Sequence, residues 1–258
     1  MPLVTRLRRT VSVLALMAVL SLVATACSAA TTSGAPRAWS IVALGDSVPR
    51  GTHCDCRPYP PLTADDLTAS SGRNVTATND SVAGYTTAAV LRQLRQNRNV
   101  IAHVRAARAL EIEIGANDVG YSKSCGTNVE CYSPRLPQLE KNLTSIVRRV
   151  DALTSGHRTL VVLLDYWSVW LGGQYAAAKG EDYVDAAAAV TDEVNRAIKA
   201  TASKSHSEYV DLRAAFKGPD YSYDETHYLS SDGDHPNAKG HEQIAAAADA
   251  VIDKALHL

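Results

Sequence analysis

Ile41-Val42-Ala43-Leu44-Gly45-Asp46-Ser47 carries four apolar residues straight into Gly-Asp-Ser. A short continuous apolar run of this kind reads as a buried strand. Gly45 lets the backbone turn sharply at the strand's carboxyl end, the edge of an open α/β sheet where ligands bind. Ser47 is thereby a candidate nucleophile. Asp and Ser are also good helix caps, so a strand, a turn and an N-cap would account for these three residues alone. The rest of the chain decides between the two readings.

Outward from this stretch, strands alternate with helices. Strands are expected at residues 39–45, 74–78, 109–114, 159–164 and 209–212. Helical segments are expected at 58–70, 86–96, 100–107, 136–153, 183–202 and 242–256. The run at 159–164 is the most apolar and is expected at the sheet's centre. Residues 122–133 read as a Cys-bearing loop, 166–180 as a loop rich in Trp, Tyr and Gly, and 222–240 as irregular. Five alternations indicate an α/β fold, a parallel sheet with helices on both faces. No internal repeat and no second domain are visible.

A chain of 258 residues suits one domain or two, and its 46% apolar content supports a sizeable core. Phe216 is the only phenylalanine, so aliphatic residues and tyrosine must fill the interior. Arg6, Arg8 and Arg9 precede an apolar stretch at 11–26, the layout of an export signal. The stretch is too short, and too rich in Ala, Ser and Thr at its end, for a membrane span. Ala24-Thr25-Ala26 then precede Cys27. This resembles a bacterial lipoprotein signal, in which the Cys becomes the lipidated first residue, although Ala24 stands where Leu is usual. Residues 1–27 therefore read as the signal, 28–38 as a flexible Ser/Thr/Ala/Gly/Pro tether, and 39–258 as the folded domain. The protein is expected to be exported, either held in the cell envelope or secreted. The net charge is −1, and without the signal arginines the remainder is more acidic still. Nucleic-acid binding, which needs a basic face, is excluded. The triplets Asn74-Val75-Thr76 and Asn142-Leu143-Thr144 match the glycosylation pattern by chance in such an export.

Five cysteines are an odd number for an exported chain. Lipidation of Cys27 leaves Cys54, Cys56, Cys125 and Cys131 for two disulfides. Cys54 and Cys56 are too close to bridge each other without strain, which favours bridges from that pair to Cys125 and Cys131. A local Cys125–Cys131 loop, with Cys54 and Cys56 left as thiols, is the alternative. A Cys/His metal site that includes His53 is set aside.

Polar blocks stand at one edge of the expected sheet. They are Gly45-Asp46-Ser47, then Asn79-Asp80-Ser81-Val82-Ala83-Gly84, then Gly115-Ala116-Asn117-Asp118. A fourth, Asp232-Gly233-Asp234-His235-Pro236-Asn237, precedes the last helix. Each alone reads as turn chemistry. Their order and spacing together resemble the SGNH (GDSL-type) hydrolase family over essentially the whole mature domain. Tyr166-Trp167-Ser168-Val169-Trp170 also looks like a segment of actinobacterial members. The resemblance implies a flavodoxin-like three-layer α/β/α sandwich with a five-stranded parallel sheet. It implies Ser47 as nucleophile, Asp232 and His235 as acid and base, and an oxyanion hole from the backbone N–H groups of Ser47 and Gly84 and the Asn117 side chain.

The chemistry is coherent in its own right. A serine hydroxyl needs a base, His235, to take its proton. The imidazole needs an acceptor on its other nitrogen, and Asp232 lies three residues earlier. A glycine at 84 fits because a Cβ would obstruct close backbone approach. Asp46 and Asp118 read as loop-stabilising acceptors, and Asp234 as the lesser rival of Asp232. His241 reads as a packing or surface histidine. His53, His103, His157, His206, His227 and His257 have no partner pattern. Convergence of Asp232, Asp234, His235 and His241 on a metal lacks a spaced zinc ligand set and leaves Ser47 without a role. No metal or organic cofactor is called for. Disulfides from Cys54/Cys56 to Cys125/Cys131 would hold Ser47 and Asn117 in register. Trp167 and Trp170 either line an acyl or sugar pocket or cap the core.

The expected activity is hydrolysis of a carboxylic ester, of short acyl chain on carbohydrate or lipid, through an acyl-enzyme on Ser47. Acyl transfer on the same triad and a non-catalytic binding protein on a hydrolase fold are the alternatives. The expected partner is the ester substrate. Membrane contact comes only through an anchor at Cys27, and the chain is expected to act as a monomer.

Overall fold

The computed structural model describes residues 38–257. The expected signal, Cys27 and the tether up to residue 37 lie outside them. Strands Trp39–Gly45 (β1), Val75–Asn79 (β2), Ala109–Glu113 (β3), Leu160–Leu164 (β4) and Glu208–Val210 (β5) form one sheet in the order β2-β1-β3-β4-β5. Every adjacent pair is parallel. The winding direction reverses between β1 and β3, so their carboxyl ends flank the crevice where such sheets bind ligands.

The helices are Ser47–Arg50 (α1), Tyr59–Ser71 (α2), Thr87–Gln96 (α3), Arg98–Ala106 (α4), Leu136–Thr154 (α5), Gly173–Ala177 (α6), Glu181–Ser205 (α7), Leu212–Lys217 (α8) and Ala238–Leu256 (α9). α2 and α9 pack on each other against one face of the sheet, with α8 beside α9; α3, α4, α5 and α7 pack in a row along the other. The core between these layers is aliphatic, with Val42, Leu44, Leu110, Ile112, Val162 and Leu164 almost fully buried. No described helix is long and apolar enough to cross a membrane.

The expected sandwich is present, with one change of order. β4, the most apolar strand, is not central; β3 is. Its sequence, Ala-Leu-Glu-Ile-Glu, looks half-exposed, yet all five residues are buried. Glu111 and Glu113 alternate with Leu110 and Ile112 and so share one face. Burial pushes the Glu111 carboxyl up to about 8 and pushes Glu113 up well above the ordinary range. Burial thus favours the protonated, neutral form of both. A protonated carboxyl costs far less to bury than a carboxylate, which is how a strand with two glutamates occupies the middle of the sheet.

Helix ends differ where caps come from a distance or a shorter range. α9 starts at Ala238 because Asn237 Oδ1 accepts the Gly240 N–H at 3.1 Å. α6 interrupts the expected loop because Glu225 and Thr226, some fifty residues away, accept the N–H groups of Gly173 and Gln174. β5 stops at Val210 because Asp211 caps α8 through the Ala214 N–H at 2.7 Å.

Candidate active site

The first three polar blocks meet at the crevice. Ser47 opens α1, whose N-cap Asp46 accepts the Val48 N–H at 3.1 Å. Beyond β2 the chain keeps pairing with β1, Asp80 N–H to the Ala43 carbonyl and Val82 N–H to the Gly45 carbonyl. That pairing carries Ser81-Val82-Ala83-Gly84 alongside Gly45-Asp46-Ser47. Gly84 then sits in a turn closed by the Tyr85 N–H to the Val82 carbonyl at 3.1 Å. Asn117 donates one amide hydrogen to the Tyr85 carbonyl at 3.0 Å, which leaves its other donor free. Asp118 accepts both the N–H and the hydroxyl of Thr87, at 2.8 and 2.6 Å. The third block thus holds the second in place. Asp46 and Asp118 are the loop-stabilising acceptors expected of them.

Gly45 and Gly84 are glycines for reasons other than those expected. Gly45 does not make the turn; a Cβ there would overlap the carbonyl of Glu113 on the neighbouring strand and the Pro49 ring. A Cβ built on Gly84 meets no protein atom within 4 Å, so crowding by the protein is not its reason. Its φ of +80° is, since side chains rarely adopt it.

The fourth block is a braced turn. Leu229 and Pro236 form an antiparallel bridge. Within it, the Ser230 N–H donates to the His235 carbonyl at 2.8 Å and the Gly233 N–H to the Ser230 carbonyl at 3.0 Å. Asp232 Oδ1 accepts the N–H groups of Asp234 and His235, and its Oδ2 lies 2.6 Å from His235 Nδ1. Burial raises the Asp232 carboxyl, but the hydrogen bonds from His235 outweigh it and hold the group below its ordinary value. Asp234 lies 4.0 Å from the same nitrogen, its side chain half exposed, and partial desolvation holds its carboxyl above the ordinary range. Asp232 is the better partner on both counts.

Ser47 and His235 line one cavity of about 670 Å³, with Asn117 on its wall. Trp167 and Trp170 are buried in the core, 2% and 3% exposed, and also wall this cavity. The Trp170 indole donates to the Val119 carbonyl at 3.0 Å, and Tyr121 packs edge-on against it at 5.2 Å. Lys179 and Asp182 add charged groups to the lining.

Sequence reasoning missed two neighbours of the site. Tyr166 donates its hydroxyl to Asp46 Oδ2 at 2.7 Å. Asp46 is fully buried, and that burial pushes its carboxyl up to about 6 despite the Tyr166 and Val48 hydrogen bonds. The position of Tyr166, two residues past the end of β4, was the available signal. His53 is the other: its Nε2 lies 3.9 Å from Asp232 Oδ2 and its ring centroid 5.1 Å from that of His235. His241 does not join them. It is buried, accepts the Tyr59 N–H at Nδ1, and burial lowers it to about 4, so it stays neutral.

The disulfides match the local Cys125–Cys131 alternative rather than the cross-pairing, but Cys54 and Cys56 are bridged rather than left as thiols. Cys54 pairs with Cys56 and Cys125 with Cys131, across Cα separations of 5.0 and 5.7 Å. His53 and Asp55 both have positive φ, 61° and 49°. That curls the chain until Cys54 and Cys56 reach the ordinary Cα spacing of a bridge. No disulfide therefore ties the Ser47 loop to the Asn117 loop; the Asn117–Tyr85 and Asp118–Thr87 hydrogen bonds link the second and third blocks instead.

Residues 43–243 match the model of the GDSL-like lipase/acylhydrolase family. No curated protein matches the chain. Among solved structures, the lipase Lip_vut3 from a goat rumen metagenome is similar over 83% of this chain and 97% of its own, with a TM-score of 0.68 and 21% identity. The acetylxylan esterase Axe2 from Geobacillus stearothermophilus is similar over 83% of this chain and 94% of its own, with a TM-score of 0.61 and 20% identity. At these identities the likeness is one of fold.

Proposed function

The chain belongs to the GDSL-like lipase/acylhydrolase family, and from that membership we propose that it hydrolyses carboxylic esters through an acyl-enzyme on Ser47. The observation that carries the reading is the cavity shared by Ser47 and His235, with His235 Nδ1 bonded to the ionised Asp232 at 2.6 Å. Asp232 fixes the tautomer in which His235 Nε2 is free to accept the Ser47 proton, and it stabilises the imidazolium that forms. Ser47 Oγ then attacks the ester carbonyl. The tetrahedral oxyanion is received by the N–H groups of Ser47 and Gly84 and the free amide hydrogen of Asn117. His235 returns the proton to the departing alcohol, and water repeats the sequence on the acyl-enzyme. Asp46, capping α1 and anchored by Tyr166, keeps Ser47 at the strand end.

The acyl group is short, on a carbohydrate or lipid alcohol. Supporting this, the cavity combines the aromatic faces of Tyr121 and Trp170 with the polar Asn117, Lys179 and Asp182, and no long apolar lid is visible in the sequence. The protein is exported and anchored through a lipidated Cys27. The two pairings among the other four cysteines leave Cys27 the odd one of five.

Hydrolysis of p-nitrophenyl esters from acetyl to palmitoyl, by the protein and its Ser47→Ala variant, tests the reading. The parent should act on acetyl and butyryl esters and lose at least about a thousandfold in the variant. Equal activity in both would overturn Ser47 as nucleophile. Product that appears only with an added acceptor alcohol would favour transfer.

A further inference from the structure

His53 serves no step of the proposed reaction, yet it stands beside the Asp232–His235 pair. Its loop is braced there. The Ser230 hydroxyl donates to the His53 carbonyl at 3.1 Å, His53 has a φ of 61°, and the next residue, Cys54, is locked to Cys56. One ligand atom from each of His53, Asp232 and His235 lies within 4.8 Å of the others. The His53 side chain is 62% exposed and that of His235 12%. The trio therefore opens to solvent on the His53 side, and an ion can enter without crossing the substrate cavity.

We propose that His53, Asp232 and His235 form a binding site for a zinc-class dication, and that its occupancy switches hydrolysis off. Two imidazoles and one carboxylate are a donor set that zinc favours, whereas magnesium and calcium prefer oxygen alone. Ligand bonds of about 2.0–2.1 Å in tetrahedral geometry put donor atoms about 3.3 Å apart. The 3.9 Å between His53 Nε2 and Asp232 Oδ2 needs only a small contraction. The 2.6 Å between Asp232 Oδ2 and His235 Nδ1 must open, because the metal takes the place of the shared proton.

The consequence follows from the proton count. In the active form His235 Nδ1 holds the ring's proton against Asp232 and Nε2 carries the lone pair. When the metal takes the Nδ1 lone pair, that proton moves to Nε2 through solvent. The ring stays neutral, but Nε2–H can no longer accept the Ser47 proton. Asp232, now a ligand, no longer stabilises an imidazolium. The binding half of this proposal is independent of the esterase reading; the inhibition half rests on it.

Cys54, Cys56 and His241 also bring three donor atoms together, but their sulfurs are joined to each other. The test therefore uses non-reduced protein with free thiols capped by N-ethylmaleimide. Zinc chloride is titrated calorimetrically into the Ser47→Ala protein and into Ser47→Ala/His53→Asn, asparagine being tolerant of positive φ. One ion per chain should bind the first, and the second should bind at least about tenfold more weakly, a ligand being worth no less than the supporting contacts around it. Magnesium should bind neither. With Ser47 intact, zinc should inhibit p-nitrophenyl acetate hydrolysis, measured against each protein's own metal-free rate. A chelator should reverse the inhibition, and His53→Asn should raise the half-inhibitory concentration by a similar factor. Zinc binding that is equal with and without His53, or undetectable at millimolar zinc, overturns the site. His53-dependent binding in a protein with no esterase activity supports the site and overturns the hydrolase reading instead.

Discussion

Asp232 and Asp234 stand on either side of Gly233, and the two carboxyls are chemically identical; what separates them is the company each keeps. Asp232 accepts two backbone N–H groups as well as His235 Nδ1. Those bonds keep it ionised, and they aim its free lone pair at the ring. Replacing it by asparagine sets an amide N–H2 toward Nδ1 and favours the tautomer with the proton on Nε2, which cannot serve as base. Asp232→Asn should therefore lower kcat on p-nitrophenyl acetate by roughly two to four orders of magnitude, with KM little changed. Asp234→Asn removes only a carboxylate 4.0 Å away and should cost less than about tenfold. Steady-state kinetics of the two variants decide the matter: equal losses would mean that Asp232 is not the partner of His235.

At the level of elements, the turn 229–237 depends on Gly233. Its φ is +75°, and a Cβ there would run into the Tyr175 ring. Its carbonyl also accepts the Gly172 N–H at 2.8 Å, which joins this turn to the start of α6. Gly233→Ala should swing Asp232 away from His235 and lower kcat by at least about tenfold, while the chain stays folded because the turn lies outside the sheet and the helices packed on it. A circular dichroism spectrum together with kinetics checks both parts; full activity would show that the turn absorbs the methyl group. This turn was legible in the sequence because all its chemistry lies within a few residues: Asp232, Gly233 and His235 announce their own geometry. The five strands were legible for a similar reason: β1 and β4 are short apolar runs, β2, β3 and β5 carry apolar or β-branched residues at alternate positions, and Gly, Asn or Asp closes each one or soon follows it. Contacts formed across the fold were not. Nothing near His53 pointed to Asp232, nearly one hundred and eighty residues on, and nothing near Gly173 pointed to its cap at Glu225. The Cys54–Cys56 bridge depends on the positive φ of two non-glycine residues, which spacing alone does not reveal. The position of β3 was hidden because a glutamate is ordinarily counted as charged.

For the molecule as a whole, that last point sets the pH dependence of stability. Asp46, Glu111, Glu113 and Asp165 are buried carboxyls, and burial raises all four. For Glu111, the unfolded chain gives up the proton near 4.5 and the folded chain keeps it to about 8. Between those values the unfolded state binds fewer protons, so stability falls as pH rises, with the change complete once pH passes the folded value. At about 1.4 kcal/mol per pKa unit, this one group accounts for several kcal/mol between pH 5 and pH 8. Asp46 at about 6 and Asp165 at about 7 act in the same direction; the lowered Asp232 acts against them only in the more acidic range, and the lowered His241 opposes them between about 4 and 6.5, where these three carboxyls outnumber it. The protein should thus be most stable in mild acid, and urea midpoints should fall steadily from pH 5 to pH 8. Glu111→Gln keeps the shape of the neutral carboxyl but cannot ionise. It should match the parent near pH 5, exceed it at pH 8, and flatten the slope between. Urea unfolding of both proteins at pH 5, 6, 7, 8 and 9 measures this directly. A parent whose midpoint is flat or rising over that range would mean that the central strand carries its glutamates as carboxylates, and that a compensating cation or water reaches them from between α2 and α9.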